Sequence, residues 1–93
     1  MTRSAARLIV EGRVQGVGYR WWAVEKARRL GLDGWVRNRT DGSVEILAIG
    51  ESSVIERLAE VCREGPLGSS VRQLRIKASE DDGSAGFEQR ATA

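Results

Sequence analysis

A glycine-rich stretch between two differently patterned segments constrains the fold of this chain more than any other feature. Gly12, Gly16 and Gly18 fall within residues 12–20, which read GRVQGVGYR. Apolar and polar residues alternate before this stretch, as in a half-buried strand, and an apolar stripe with helical spacing follows it. A loop with three glycines can turn sharply and bring its backbone N–H groups close to a ligand. The pattern therefore predicts a strand–loop–helix unit with a ligand-binding loop.

The start of the predicted helix has the features of an anion-binding site. A helix N-terminus offers unpaired N–H groups and a partial positive charge, which together favour a phosphate. No Ser, Thr, Asp or Asn stands just before this helix as a cap. Arg20 also places a cation where the helix dipole disfavours it, by roughly 0.3–1 kcal/mol. A bound anion would compensate for both features, whereas a water-capped turn with an ordinary surface arginine is the alternative that this pattern leaves open.

Length and composition are typical of one small globular domain. The chain has 93 residues, of which 41% are hydrophobic and 30% charged, so we expect a single domain over residues 1–93. Residues 1–6 and 91–93 are expected to be loose termini. No apolar run is long enough for a membrane span, and no secretory signal pattern is present, so a cytoplasmic protein without a membrane partner is predicted. The net charge of +2 is too diffuse to indicate nucleic acid.

The absence of histidine restricts the chemistry available to this chain. Without histidine, the commonest general base and the commonest zinc ligand are missing. Cys62 is the only cysteine, so neither an internal disulfide nor a cysteine metal site is expected, and Cys62 is predicted to be a small core residue. We expect no metal and no cofactor. Any catalysis must rely on arginine, amide, carboxylate or backbone groups.

The periodicity of the remaining chain predicts further strands and a second helix. Strands are predicted over residues 7–14, 32–39, 44–49 and 71–78, with a short fifth strand over 87–90 left open. Asp41 and Gly42 predict a hairpin between the second and third strands. Ser53 and Glu56 form a possible capping box for the second helix, which ends near Gly65. This order predicts an α+β fold: a ferredoxin-like split βαβ sandwich, with an antiparallel sheet and two helices on one face.

Asn38, at the end of the second predicted strand, is a candidate partner for Arg20. Val36 and Asn38 share a strand face, so Asn38 could approach the glycine loop; a turn-promoting asparagine before the hairpin is the alternative. An arginine fork matches phosphate oxygens, and an asparagine can hold a water molecule but is a poor base. The leaving group must then depart easily, as a carboxylate does, because its parent acid has a pKa of roughly 4. A carboxylic–phosphoric anhydride is therefore the substrate most compatible with these groups.

These residues resemble the acylphosphatase family. The similarity rests on residues 12–20, on GWVRN at residues 34–38, on Asp41-Gly42 and on Val44-Glu45, and it extends over about residues 8–90. It implies hydrolysis of a small-molecule acyl phosphate to a carboxylate and orthophosphate, without a metal ion. The resemblance implies that Arg20 and Asn38 are the catalytic residues, with Asn38 orienting the attacking water. It also implies that the phosphate is bound by Gln15, Gly16, Val17, Gly18, Tyr19 and Arg20.

Some residues depart from the family pattern, and other functions stay open. Tyr19 stands where phenylalanine is usual, and Ser69-Ser70 and Gln89 also differ. The main rival function is a non-catalytic module of the same fold that binds an anion or an acyl phosphate, or a detached piece of a larger carbamoyl-phosphate-handling enzyme. An RNA-binding sheet is less compatible because no RNP1 pattern is present, and a Walker motif is absent. A monomer is expected, with Trp21 as a partly exposed residue at the lip of the site.

Overall fold

Five strands and two helices make up the protein in a computed structural model that describes residues 3–93. The elements, in chain order, are β1 (Ser4–Arg13), α1 (Tyr19–Arg29), β2 (Asp33–Asn38), β3 (Val44–Gly50), α2 (Ser52–Glu64), β4 (Ser70–Ala78) and β5 (Phe87–Gln89). The predicted element order is therefore present, and the segment left open near the C-terminus is a short strand. No helix within residues 3–93 has both the length and the apolar character needed to cross a membrane.

The strands form one sheet in the order β4-β1-β3-β2-β5. The first four strands pair antiparallel, as predicted, but β5 pairs parallel to β2, so the sheet is mixed. The antiparallel sheet predicted for the first four strands is therefore present, and β5 adds a parallel strand at one edge. β4 and β5 occupy opposite edges, so the chain between them must cross the sheet. It arrives beside the start of β2, where Gly34 N–H donates to the Gly86 carbonyl at 2.9 Å.

Both helices pack on one face of the sheet, which confirms the predicted ferredoxin-like layering. The core between helices and sheet is made of fully or nearly fully buried residues: Leu8, Val10, Val36, Val44 and Ile46 from the strands, and Ala23, Ala27, Leu58 and Cys62 from the helices. A smaller cluster of Trp35, Leu47 and Ile49 lies on the opposite face. The loop over residues 79–86 contacts this second cluster, since Trp35 Nε1 donates to Asp82 Oδ2 at 3.1 Å.

Three local expectations are wrong. Residues 4–6 are not loose but belong to β1, where Ser4, Ala5 and Ala6 pair with β3. Residues 91–93 are tied to the end of β2, because Ala93 N–H donates to the Asn38 carbonyl at 3.1 Å. Met1 and Thr2 lie outside the described residues. The Ser53–Glu56 capping box does not form, since α2 begins at Ser52 and its N-cap is Glu51, without a side-chain cap.

A bulge at the end of β1 directs the chain into the glycine loop. The register between β1 and β4 shifts between Glu11 and Gly12. Gly12 has a φ of +127°, and a Cβ atom there would lie 2.2 Å from the Ser70 carbonyl oxygen. Only glycine permits this backbone conformation so close to a neighbouring strand. The loop therefore leaves the sheet at a fixed point.

Candidate active site

The glycine loop, the first turn of α1 and the ends of β2 and β5 enclose a cleft of about 180 Å³. Its lining includes both residues that the sequence predicts to be catalytic, Arg20 and Asn38. Of the predicted phosphate-binding residues, all but Val17 line this cleft, and Val17 is partly buried against the core instead. The cleft walls are formed by Val14, Gln15, Gly16, Gly18, Tyr19, Arg20, Trp21, Asn38 and Gln89.

The start of α1 presents unpaired backbone donors to this cleft. Gly18 is the N-cap residue, with φ +77° and ψ 20°, and no side chain caps the helix. The first intrahelical bond runs from Trp22 N–H to the Gly18 carbonyl at 3.0 Å. The preceding N–H groups of the first turn have no intrahelical acceptor, as at any helix start. The absence of a cap agrees with the sequence prediction and leaves the positive end of the helix dipole facing the cleft.

Arg20 is half-buried, and no acidic side chain within residues 3–93 forms an ion pair with its guanidinium. Ion pairs elsewhere in residues 3–93 engage many of the other arginines, but none includes Arg20. A guanidinium offers a planar fork of N–H donors and keeps its charge at any relevant pH. Arg20 therefore brings an unneutralised positive charge to a site that already has free backbone donors, so the cleft favours an anion.

Strand pairing places the Asn38 side chain on the helix side of the sheet. Asn38 pairs with Val44 across β2 and β3, and Val44 pairs with Val10 of β1. Residues directly opposite one another share a face of the sheet, and both valines are fully buried in the helix-side core. Asn38 therefore faces the cleft, two strand spacings, roughly 10 Å, from the strand that leads into the glycine loop. Its side-chain amide forms no hydrogen bond to the protein within residues 3–93.

Gln15 has a structural role that its sequence context does not reveal. Its side-chain Nε2 donates to the backbone carbonyls of Arg39 and Ser43, both at 2.8 Å. The two protons of this amide are thus committed to the β2–β3 hairpin. Any contribution of Gln15 to phosphate binding must come from its backbone N–H. The side chain instead fixes the glycine loop to the hairpin that carries Asn38.

The Tyr19 side chain points away from the cleft and joins the two helices. Its ring is 1% exposed, and its hydroxyl donates to the Cys62 carbonyl at 2.6 Å. That carbonyl lies in the last turn of α2, where no intrahelical donor reaches it. Burial raises the pKa of the Tyr19 phenol above its ordinary value, and burial also raises the pKa of the Cys62 thiol to about 12. Both groups therefore stay protonated at neutral pH, and Tyr19 offers the cleft its backbone only.

Gln89 is a cleft residue that the sequence prediction missed. It pairs with Val36 across β2 and β5, and therefore shares the helix-side face with the buried valine. The alternation of Phe87 and Gln89 was the available signal, since Phe87 is buried in the same core. Trp21, expected at the lip of the site, lines the cleft and is 63% exposed.

The described part of the chain brings no three Cys, Asp or Glu side chains together as potential ligands of a metal ion. The cleft itself is lined by amide, guanidinium, backbone and aromatic groups. Such groups can hold an anion by charge-assisted hydrogen bonds and can position a neutral water molecule. None of the lining side chains is a carboxylate that could act as a general base.

Comparisons with known proteins agree with this arrangement. The family model for acylphosphatase matches residues 6–89. The curated acylphosphatase of Acidiphilium cryptum (strain JF-5) is 48% identical over 88 residues, which cover 95% of this chain and 97% of that relative. The crystal structure of acylphosphatase from Bacillus subtilis has a TM-score of 0.90 at 38% identity and covers 94% of this chain and 98% of its own. Full-length HypF in its phosphate- and nucleotide-bound form also has a TM-score of 0.90, at 25% identity, over 98% of this chain and 12% of that one.

Proposed function

We propose that this chain, which belongs to the acylphosphatase family, hydrolyses acyl phosphates to a carboxylate and orthophosphate without a metal ion. The observation that carries the proposal is one cleft lined by the glycine loop, Arg20 and Asn38. An unneutralised guanidinium and free N–H groups suit the phosphoryl group, and an uncommitted amide suits a water molecule. The same three parts carry the family resemblance of the sequence.

In this mechanism, Arg20 and the loop backbone bind the phosphoryl group. The guanidinium fork holds two phosphate oxygens, and N–H groups from residues 15–20 hold the remaining charge. Phosphoryl transfer spreads negative charge over the equatorial oxygens in the transition state. Donors that are already oriented towards that position stabilise the charge without reorganisation. Gln15 keeps these donors in place through its bonds to the hairpin.

Asn38 orients the water that attacks phosphorus. Its amide can accept a hydrogen bond from water through the carbonyl and donate one through NH₂. The attacking oxygen and the leaving oxygen lie roughly in line through phosphorus. The P–O bond to the acyl group breaks and releases a carboxylate, whose parent acid has a pKa of roughly 4. Departure therefore needs no general acid, and the attacking water loses its proton to the phosphate or to solvent.

Release of phosphate from acetyl phosphate or benzoyl phosphate in excess EDTA tests the activity. We expect steady turnover above the spontaneous rate, with no change when EDTA is added. Loss of turnover in EDTA that a divalent ion restores would contradict the metal-free mechanism. Absence of turnover under both conditions would contradict the enzymatic function itself.

Two substitutions separate binding from catalysis. Arg20→Ala should abolish both phosphate binding and turnover, because the principal positive charge of the cleft is lost. Asn38→Ala should leave phosphate binding largely intact and lower kcat about 10²–10³-fold, as removal of one oriented polar group does in other enzymes. Arg13→Ala, an exposed arginine outside the cleft lining, is the matched control for net charge. If Asn38→Ala kept wild-type turnover, Asn38 would have no part in the reaction.

A non-catalytic binding module is the second candidate function, and the similarity to one part of HypF supports it. This chain aligns with 12% of that much longer protein, whose structure contains phosphate and nucleotide. If the chain is such a module, the wild-type protein would bind phosphate through Arg20 but would not hydrolyse an acyl phosphate. The two assays above distinguish these outcomes directly.

The proposal includes a single domain and a monomeric, cytoplasmic protein whose partner is a small-molecule acyl phosphate rather than a nucleic acid. The match of the family model to residues 6–89 supports one domain. The helices and the sheet of one chain cover the core between them, which supports a monomer. Sedimentation equilibrium should therefore give a mass close to the 10.2 kDa of one chain; a mass twice that would contradict the monomer.

A further inference from the structure

We propose that the acyl group of the substrate binds in a groove between α1 and β5, with the exposed Trp21 indole as its platform. This inference rests on the proposed function and extends it to substrate class. It predicts a preference for acyl phosphates with a flat apolar acyl group, such as an aromatic ring, over those with a small group such as acetyl.

The groove adjoins the phosphate cleft, because the two share lining residues. It has a volume of about 280 Å³ and is lined by Trp21, Val24, Glu25, Arg28, Glu88 and Gln89. Trp21 and Gln89 also line the cleft that contains Arg20 and Asn38. Three other depressions described on residues 3–93 share no lining residue with that cleft. An acyl group that extends from the bound phosphate past Trp21 or Gln89 would therefore enter this groove.

Trp21 differs from the other two tryptophans in having an uncommitted ring. Trp35 is buried, and the guanidinium groups of Arg37 and Arg90 lie over its ring, 4.7 and 5.0 Å from the ring centroid. Trp22 packs against Tyr19, with ring centroids 5.3 Å apart. Trp21 is 63% exposed and makes no aromatic or cation–π contact with the residues the structure describes. Its face is therefore available to a ligand.

The helix and the strand hold the groove in a defined shape. Trp21, Val24, Glu25 and Arg28 are spaced at i, i+3, i+4 and i+7, so they share one face of α1. Val24 is buried beneath this face, and Arg28 Nε donates to the Phe87 carbonyl of β5 at 3.0 Å. That bond ties α1 to the strand that contributes Gln89. Trp21 therefore belongs to the same helix, α1, that positions Arg20.

Reaction geometry also directs the acyl group out of the cleft. The leaving oxygen lies roughly opposite the attacking water across phosphorus. In the reactive complex, the phosphoryl group and this water would fill the cleft between the groups that hold them. Aromatic rings stack favourably on an indole face. A benzoyl group is large enough to cover the platform, whereas an acetyl group ends close to the phosphate. The groove consequently contributes to binding only for the larger substrate.

Steady-state kinetics with benzoyl and acetyl phosphate test the platform. Trp21→Ala should lower kcat/KM for benzoyl phosphate about 3- to 10-fold, mainly through KM, and change the acetyl phosphate value less than about twofold. Trp21→Phe should restore most of the preference, because it restores an aromatic face. Leu67→Ala, which removes another exposed apolar side chain, is the control and should affect neither substrate. Equal losses for both substrates in Trp21→Ala would overturn the proposal.

A binding experiment separates failure of this inference from failure of the proposed function. The probes are the phosphonates in which CH₂ replaces the bridging oxygen of benzoyl phosphate and of acetyl phosphate. Calorimetry should show tighter binding of the aromatic phosphonate to the wild type, and this difference should disappear in Trp21→Ala. Equal affinity of the wild type for both phosphonates, or a difference that survives in Trp21→Ala, would refute the groove even if acyl phosphates were hydrolysed. If the protein binds the aromatic phosphonate more tightly but hydrolyses no acyl phosphate, the acyl-binding groove would be supported and the enzymatic activity would be refuted.

Discussion

The polar side chains of the cleft divide into those that hold the protein in shape and those that are left to bind a ligand. Gln15 donates to the Arg39 and Ser43 carbonyls, and thereby fixes the distance between the glycine loop and the hairpin next to Asn38. Arg20 and Asn38, in contrast, have no partner among the described side chains and are available to phosphate and water. The cleft therefore contains one side chain that is hydrogen-bonded to the protein and fixes its shape, and two that are free to bind a ligand.

Gln15→Leu tests this division at the residue scale. The substitution removes two hydrogen bonds but keeps a side chain of similar size, and each bond contributes about 1 kcal/mol to stability. We expect the free energy of unfolding to fall by about 1–2 kcal/mol and kcat to fall more than the affinity for phosphate. Gln73→Leu, on the exposed face of β4, is the matched control. Unchanged stability and unchanged kcat in Gln15→Leu would contradict a positioning role.

Residue roles were predictable from the sequence only where local pattern determines them. The side of β2 that Asn38 faces follows from alternation with Val36, and the lip position of Trp21 follows from helical spacing. The partners of Gln15 are 24 and 28 residues away, and the partner of the Tyr19 hydroxyl is 43 residues away. No local pattern encodes such contacts, because they arise when separate elements pack together.

At the scale of elements, the start of α1 depends on a left-handed residue rather than on a cap. Gly18 has φ +77°, and an added Cβ would meet no atom within 4 Å. Glycine is therefore needed there for its backbone conformation and not for space. The uncapped start was predictable, because the residues before the helix contain no capping side chain.

The capping box predicted for α2 shows the limit of this rule. The Glu51 carbonyl accepts hydrogen bonds from both Val54 and Ile55 N–H, which places Ser53 inside the helix.

Substitutions of Gly18 test the conformational requirement. Gly18→Ala should lower the free energy of unfolding by about 1–2 kcal/mol, the cost of a left-handed conformation for a residue with a Cβ atom. Gly18→Asn should be closer to wild type, because asparagine tolerates this conformation. Urea denaturation measures both values. An alanine variant as stable as wild type, or an asparagine variant no better than alanine, would show that the conformation is not the constraint.

The loop over residues 79–86 covers the helix-free face of the sheet through Asp82. Hydrogen bonds from the Ser84 hydroxyl and then from Trp35 lower the pKa of Asp82 from its ordinary 3.8 to about 2. The folded state thus favours the ionised carboxylate. Stability from these bonds is fully present above pH 3.8 and is lost as the pH falls towards 2, because the unfolded chain takes up a proton first.

Comparison of the wild type with Asp82→Asn from pH 5 to pH 2 tests this dependence. We expect any stability advantage of the wild type over the variant to shrink as the pH falls through 4 to 2, with a change in Trp35 emission over the same range. Glu80→Gln, a change of another exposed acidic residue of the same loop, should track the wild type. A constant difference between wild type and Asp82→Asn across this range would contradict the role of the carboxylate.

At the scale of the whole molecule, the strand order assembles the site. β3 lies between β1 and β2, which places the glycine loop after β1 and Asn38 at the end of β2 beside the same cleft. The layered α+β fold was predictable because each strand and helix shows one apolar side. The parallel addition of β5 was not, because three residues carry almost no periodic signal and their pairing depends on the crossing of residues 79–86. That strand nevertheless supplies Gln89 to the cleft.

The most direct test of the central claim is a phosphate titration of ¹⁵N-labelled protein followed by ¹H–¹⁵N correlation spectra. The account predicts saturable shifts of the backbone N–H resonances of residues 15–20, with the Asn38 side-chain amide also affected. The same titration of Arg20→Ala should leave these resonances unshifted. Phosphate-dependent shifts confined to another basic surface, such as the depression lined by Arg7, Arg37 and Arg39, with the glycine loop unaffected, would contradict it.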